Sequence, residues 1–164
     1  MAVVIAIDAG TSGVRALAFD DAGTAVGGGY QEFPQYFPRP GWVEHDPDEI
    51  WGAVCTTLRS VIEEIDGQPV AALGITNQRE TVVVWDRTTG RALHRAIVWQ
   101  DRRTAERCDQ LRNEGHLDLV RRTTGLVLDP YFSGTKLEWL LTDGGVRTTP
   151  DLAFATVMAG CSGS

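Results

Sequence analysis

The chain has 164 residues, of which 43% are hydrophobic and 23% charged, and it carries five Trp. That profile suits one packed domain and excludes a disordered or fibrous chain. A formal net charge of -7 excludes a general affinity for nucleic acid, because a polyanion has to be met by clustered cations.

From the start of the chain, Val3–Ile7, Val14–Phe19 and Thr24–Glu32 read as short strands. They are separated by Gly10-Thr11-Ser12-Gly13 and by Asp20-Asp21-Ala22-Gly23, turn sequences that predict consecutive hairpins in a three-stranded meander. The first apolar run stops at Asp8 with no basic segment before it, so it is expected to be a strand rather than a secretory leader, and no run reaches the roughly 20 apolar residues of a membrane span. A cytoplasmic location is expected. After Pro34, Pro38 and Pro40, Asp46-Pro47-Asp48-Glu49 signals a helix start: Asp46 as cap, Pro47 in the first turn and Glu49 closing a capping box. Ile50, Val54, Leu58, Val61 and Ile65 follow at helical spacing and predict one buried stripe, ended by Gly67 and Pro69.

Strands are predicted again over Val70–Thr76, Thr81–Trp85 and Ala96–Trp99, with a turn at Asp86–Gly90. Helices are predicted over Thr104–Arg112, where Ala105, Cys108 and Leu111 share a face and Gly115 marks a stop, and over Gly134–Leu141. Strands first, then strand and helix in alternation, predict a mixed α/β sheet covered by helices. The basic spots Arg102, Arg103 and Arg121, Arg122 are expected on solvated helix faces. Cys55, Cys108 and Cys161 lack a C-x-x-C spacing and are expected as reduced, buried thiols.

Four places could carry chemistry. In Asp8-Ala9-Gly10-Thr11-Ser12-Gly13-Val14-Arg15, backbone N–H groups and the Thr11 and Ser12 hydroxyls could clasp a phosphate. Arg15 could neutralise it and Asp8 could hold a metal ion. A plain hairpin with small polar residues is the competing reading. Asn77-Gln78-Arg79-Glu80 is a charged cluster between apolar strands, and desolvating such charges is costly enough to place it at a strand end or cleft. Guanidinium beside carboxylate suits adjacent hydroxyls, each of which donates and accepts; a structural Arg–Glu pair is the alternative. Trp99 could lie along the carbon edge of a small polyol and the Tyr131 hydroxyl could reach one of its oxygens, although either residue alone more often packs a core.

Four longer stretches closely resemble the glycerol kinases of the FGGY carbohydrate kinase family, and together the resemblance runs to about Val157. They are Gly41-Trp42-Val43-Glu44-His45-Asp46-Pro47, Gly74–Thr81, Ile97–Ala105 and Gly125–Lys136, the last including Asp129-Pro130-Tyr131-Phe132-Ser133. The resemblance implies an actin-like, ribonuclease-H-like α/β fold, here an incomplete N-terminal, substrate-side domain over 1–157. It implies transfer of the ATP γ-phosphoryl group to glycerol, giving glycerol 3-phosphate. It further implies that Thr11, Ser12, Gly13 and Arg15 contact nucleotide phosphates with Asp8 near Mg2+, that Arg79, Glu80 and Tyr131 bind glycerol hydroxyls, and that Trp99 lines that pocket. The family's catalytic base is expected beyond Ser164, and full-length members are expected to be homo-oligomers. The opening turn is closer to xylulose-type kinases of the same superfamily, so a pentulose or hexulose kinase is one alternative and a non-catalytic polyol-binding module another.

Glycerol kinases continue after Val157 with a pattern like D-x-W-L-x-W-K-L, where this chain reads Met158-Ala159-Gly160-Cys161-Ser162-Gly163-Ser164. Codons shifted by one nucleotide after Val157 permit Asp-Gly-Trp-Leu-Leu-Trp, so 158–164 are expected to be an out-of-frame tail. The truncation this implies predicts an open sheet edge and exposed apolar surface.

Overall fold

A computed structural model describes residues 2–157. The expected tail at 158–164, with Cys161, lies outside them. In chain order the elements are β1 (Val3–Ala9), β2 (Gly13–Phe19), β3 (Ala25–Glu32), β4 (Glu44–His45), α1 (Pro47–Glu64), β5 (Val70–Asn77), β6 (Val82–Asp86), β7 (Ala96–Ile97), α2 (Ala105–Asn113), α3 (Leu117–Thr124), α4 (Ser133–Thr142) and β8 (Leu152–Thr156). The described residues fall into two compact units, one of residues 2–35, 45–78 and 157, the other of 36–44 and 79–156.

The first unit holds a sheet in the order β3-β2-β1-β5, with the expected antiparallel meander and β5 added parallel to β1. β1 alternates strictly: Val3, Ile5, Ile7 and Ala9 are buried, while Val4, Ala6 and Asp8 face away from α1. α1 begins as its sequence dictates. The Asp46 carboxylate accepts from the Asp48 N–H at 3.0 Å and Pro47 opens the first turn. The bond to the second helical residue, where a capping box would use the third, still satisfies one orphan donor. Ile50, Val54, Val61 and Ile65 are buried as the stripe predicted, joined by Ala53 and Thr57, whereas Leu58 is only half-buried. Gly29 of β3 lets α1 come close, since a Cβ there would sit 3.0 Å from the Thr57 carbonyl oxygen and 3.2 Å from the Ser60 Cβ. β5 is the outer strand, and Val70, Leu73 and Ile75 are each more than 40% exposed along it.

The second unit is built on the strand order β4-β7-β6-β8, with β6 antiparallel to both β7 and β8. Val82 and Val84 of β6, Ile97, Leu140 and Val146 form its core, against which Leu137, Trp139 and Leu152 pack. α2 buries Cys108 on the expected face, whereas Cys55 on α1 is only half-buried, contrary to expectation. α3, closed by left-handed Gly125 (φ 74°), and β8 were not expected from the sequence.

The larger correction concerns Arg103. Expected on a solvated face, its side chain is fully buried. Its Nε and Nη2 donate to Asp101 at 2.9 and 2.8 Å, and Nη2 also reaches Glu44 at 2.8 Å. The Trp42 and Trp139 rings lie 3.9 and 4.5 Å from its guanidinium carbon. Two carboxylates and two indole faces replace much of the water that burial removes, while Nη1 finds no acceptor among the described residues. Asp101 in turn accepts from the Val43 N–H at 2.6 Å, so this ion cluster ties the loop before β4 to the start of α2. Arg102, as expected, is exposed, pairing loosely with Asp129 at 3.6 Å.

Candidate functional site

The first group of candidate residues lies in the β1–β2 hairpin. Register pairs Asp8 with Arg15 directly across the two strands, and Arg15 with Tyr30 on β3. Asp8, Arg15 and Tyr30 are all exposed on the sheet face that α1 does not cover, and the Arg15 guanidinium lies 5.6 Å from the Tyr30 ring centroid. Gly10, Thr11 and Ser12 form the connection. The Gln35 amide donates to the Thr11 carbonyl at 2.5 Å and so pins the turn from outside. Gly13 has a packing reason beyond any ligand: an added Cβ would meet the Gln31 carbonyl oxygen at 2.7 Å and the Tyr30 hydroxyl at 2.8 Å. The hairpin thus presents a cation, a hydroxyl-bearing turn and one carboxylate on open surface. A lone carboxylate fits Mg2+, which keeps most of its waters and takes remaining ligands from phosphates; among the described residues no three acidic, His or Cys groups cluster for a metal.

The second group lies wholly in the other unit. Glu80 adopts the left-handed conformation with φ 64°, a region where a side chain with a Cβ is held only when its surroundings insist. Ser133, the first residue of α4, supplies that insistence. Its N–H and Oγ donate to the Glu80 carboxylate at 2.9 and 2.6 Å, and Oγ also lies 3.4 Å from the Glu80 carbonyl. The helix N-terminus therefore fixes the carboxylate, with a favourable dipole. Arg79 beside it is exposed and makes no ion pair among the described residues, which rules out a structural Arg79–Glu80 pair. Trp99, two residues past β7, meets Tyr131 edge to face at 5.7 Å, and its backbone N–H donates to the Thr81 hydroxyl at 3.3 Å. Tyr131 is 36% exposed, with its N–H anchored on the Asp129 carboxylate at 2.8 Å.

The structure thus links Glu80, Trp99 and Tyr131 through the Ser133 turn, with Arg79 adjoining. Two residues essential to that arrangement carried no role in the sequence reading: Ser133 and Lys136. Lys136 is fully buried, and its ammonium donates to the carbonyls of Pro130, Tyr131 and Phe132. Burial lowers its pKa from 10.5 to about 8, opposed by the negative groups around it. The available signal was a lysine five residues after the aromatic Tyr131, on a helix otherwise carrying Leu137, Leu140 and Leu141.

The sequence model of the FGGY family of carbohydrate kinases, N-terminal domain, matches residues 3–148. The chain belongs to the FGGY family of carbohydrate kinases. Among relatives, the glycerol kinase of Alkalilimnicola ehrlichii is 54% identical over 163 residues, 96% of this chain and 33% of its own length. That of Cereibacter sphaeroides is 58% identical over 140 residues, 84% of this chain and 28% of its own length. The FGGY chain described here therefore spans about a third of the relatives it matches. Among solved structures, Plasmodium falciparum glycerol kinase with ADP superposes with a TM-score of 0.88 at 28% identity, covering 98% of this chain and 33% of that one. Gluconate kinase from Lactobacillus acidophilus gives the same TM-score at 22% identity over 97% of this chain and 32% of its own, a likeness of fold alone. The actin-like sugar-kinase fold expected from the sequence is thereby shown.

Proposed function

We propose that this chain supplies the polyol site and phosphate hairpin of an ATP-dependent glycerol kinase, which transfers the γ-phosphoryl group to glycerol and yields glycerol 3-phosphate. The observation that carries this reading is the Glu80 carboxylate, held in a strained backbone conformation by Ser133 beside the Trp99–Tyr131 pair and an Arg79 that makes no ion pair among the described residues. Glu80 accepts from glycerol hydroxyls, Arg79 and the Tyr131 phenol donate to them, and the Trp99 indole covers the carbon edge. Such an arrangement orients a triol without itself doing chemistry, which is what phosphoryl transfer asks of a substrate site. Thr11, Ser12 and Gly13 face nucleotide phosphates, Arg15 offsets their charge, and Asp8 holds Mg2+. Residues 1–157 form the substrate-side domain in this reading. The glycerol kinase identities above support glycerol over a ketose.

The test is calorimetric titration of the 164-residue chain with glycerol and with xylulose, followed by ATP and Mg2+ with mass analysis of the product. Saturable glycerol binding, lost in Arg79→Ala and Glu80→Ala, is expected. Binding of xylulose alone would overturn the substrate, and binding of neither would overturn the site.

A further inference from the structure

We propose that Lys136 is a positioning residue for the polyol site, its buried ammonium gathering the main chain of Pro130–Phe132 and so setting the Tyr131 phenol and the Ser133–Glu80 contact. The inference rests on the reading of Tyr131 and Glu80 as polyol ligands. An ammonium has three hydrogens and no acceptor. Here it has three carbonyl partners, Pro130 at 2.5 Å, Tyr131 at 2.7 Å and Phe132 at 3.4 Å. Those carbonyls belong to the three residues immediately before α4, and a cation in the first turn of a helix opposes the helix dipole, so the lysine is not there for the helix. With its protons committed to main chain and its side chain out of water, Lys136 touches neither substrate nor phosphate.

What the ammonium does is fold the 130–132 segment back on itself. The segment's outward groups are the ones the site uses: Tyr131, whose N–H is held by Asp129, and Ser133, whose N–H and Oγ hold Glu80. Without the charge, three carbonyls would be left without their donor in the interior, and the segment would have to turn outward to find water. The charged groups facing the ammonium are Asp101, Glu80 and Asp129, together with the Cys108 thiol; all of them favour its charge, while burial disfavours it. Raising the pH through about 8 therefore discharges the anchor in the folded chain.

The test compares the wild-type chain with Lys136→Met, which fills the volume without donating. Amide hydrogen exchange at Tyr131, Phe132 and Ser133 and glycerol affinity are both followed from pH 7 to 9.5. The Met variant is expected to exchange faster at those three amides and to bind glycerol at least about tenfold more weakly, a loss of about 1.4 kcal/mol. The wild type should move toward the variant above pH 8, after correction for intrinsic base catalysis of exchange, while the variant's glycerol affinity stays flat with pH. Unchanged exchange and affinity in a folded Met variant would overturn the proposal. Faster exchange in a wild type that never binds glycerol would uphold the anchoring and overturn the polyol reading. Should the Met variant fail to fold, Lys136→Leu takes its place: unchanged exchange at the three amides relative to α1 amides, with unchanged glycerol affinity, overturns the anchor.

Discussion

The two units bury different kinds of polar group. In the first, the fully or nearly buried polar side chains are His45, Thr57 and Gln78, all neutral or able to be so; in the second they include Asp101, Glu44, Lys136 and the guanidinium of Arg103. The difference follows what each presents. The hairpin of Gly10–Ser12 is shaped by strand register, by the close approach of β3 at Gly13 and by the neutral Gln35 amide, none of which calls on a buried ion. The candidate polyol side instead rests on irregular chain, the loop before β4 and the 129–133 turn, where some main-chain groups are met by side chains rather than by a neighbouring strand or helix. The buried Asp101 carboxylate, itself paired with Arg103, and the Lys136 ammonium serve as those partners.

The largest effect should come from removing one ion and leaving its counter-charges behind. Arg103→Met strands Asp101 and Glu44 in the interior, and breaking a buried pair in this way costs about 3–5 kcal/mol. Denaturant unfolding of the variant should show a loss of that order, with spectroscopic change confined to the Trp42 and Trp139 surroundings. A loss within about 0.5 kcal/mol, the range of ordinary surface changes, would mean that the second unit does not depend on buried charge and would erase the contrast.

The first unit offers the opposite test through His45. It is fully buried against Phe33 in an edge-to-face contact at 5.0 Å, and its Nδ1 lies 3.1 Å from the Gln78 amide nitrogen. Desolvation lowers its pKa from 6.5 to about 4. A His depressed in the folded state is more protonated in the unfolded chain between those values, so stability is complete above pH 6.5 and falls as pH drops toward 4. The span amounts to about 3 kcal/mol. Unfolding free energies measured across that window should slope accordingly and flatten in His45→Gln; an equal slope in the variant would assign the acid sensitivity elsewhere.

Much of the first unit was legible because its signals are local. Asp46-Pro47 and the Ile50–Ile65 stripe specify α1 by themselves, and the Gly and Asp turns specify the hairpins. The candidate polyol residues stood out as motifs, but what holds them in place was not legible. Arg103 meets Glu44 across 59 positions and Ser133 meets Glu80 across 53, so neither bond leaves a periodic trace. Arg103 also stands beside Arg102 in a pair of cations that, by type alone, reads as solvated. α3 escaped because none of its residues is buried, so its apolar positions mark no core; Gly125 was the one cue it offered. β8 escaped because its partner β6 lies some 70 positions away in sequence, as the register Val82 with Thr156 shows.

The smallest effect separates shape from chemistry within the hairpin. Gly13→Ala would place a Cβ 2.7 Å from the Gln31 carbonyl oxygen, a backbone atom that cannot step aside cheaply, and overpacking of this kind costs about 1–3 kcal/mol. Ser12→Ala removes an exposed hydroxyl from the same turn and should leave unfolding unchanged within about 0.5 kcal/mol. ADP titration with Mg2+ should respond in the reverse sense. If Ser12 faces phosphate, its loss weakens binding by about 1 kcal/mol, roughly fivefold, with no change in stability. Equal ADP affinity in Ser12→Ala and wild type would leave the turn with strand geometry alone and remove Ser12 from the phosphate clasp, while the polyol side of the comparison would stand on its own residues.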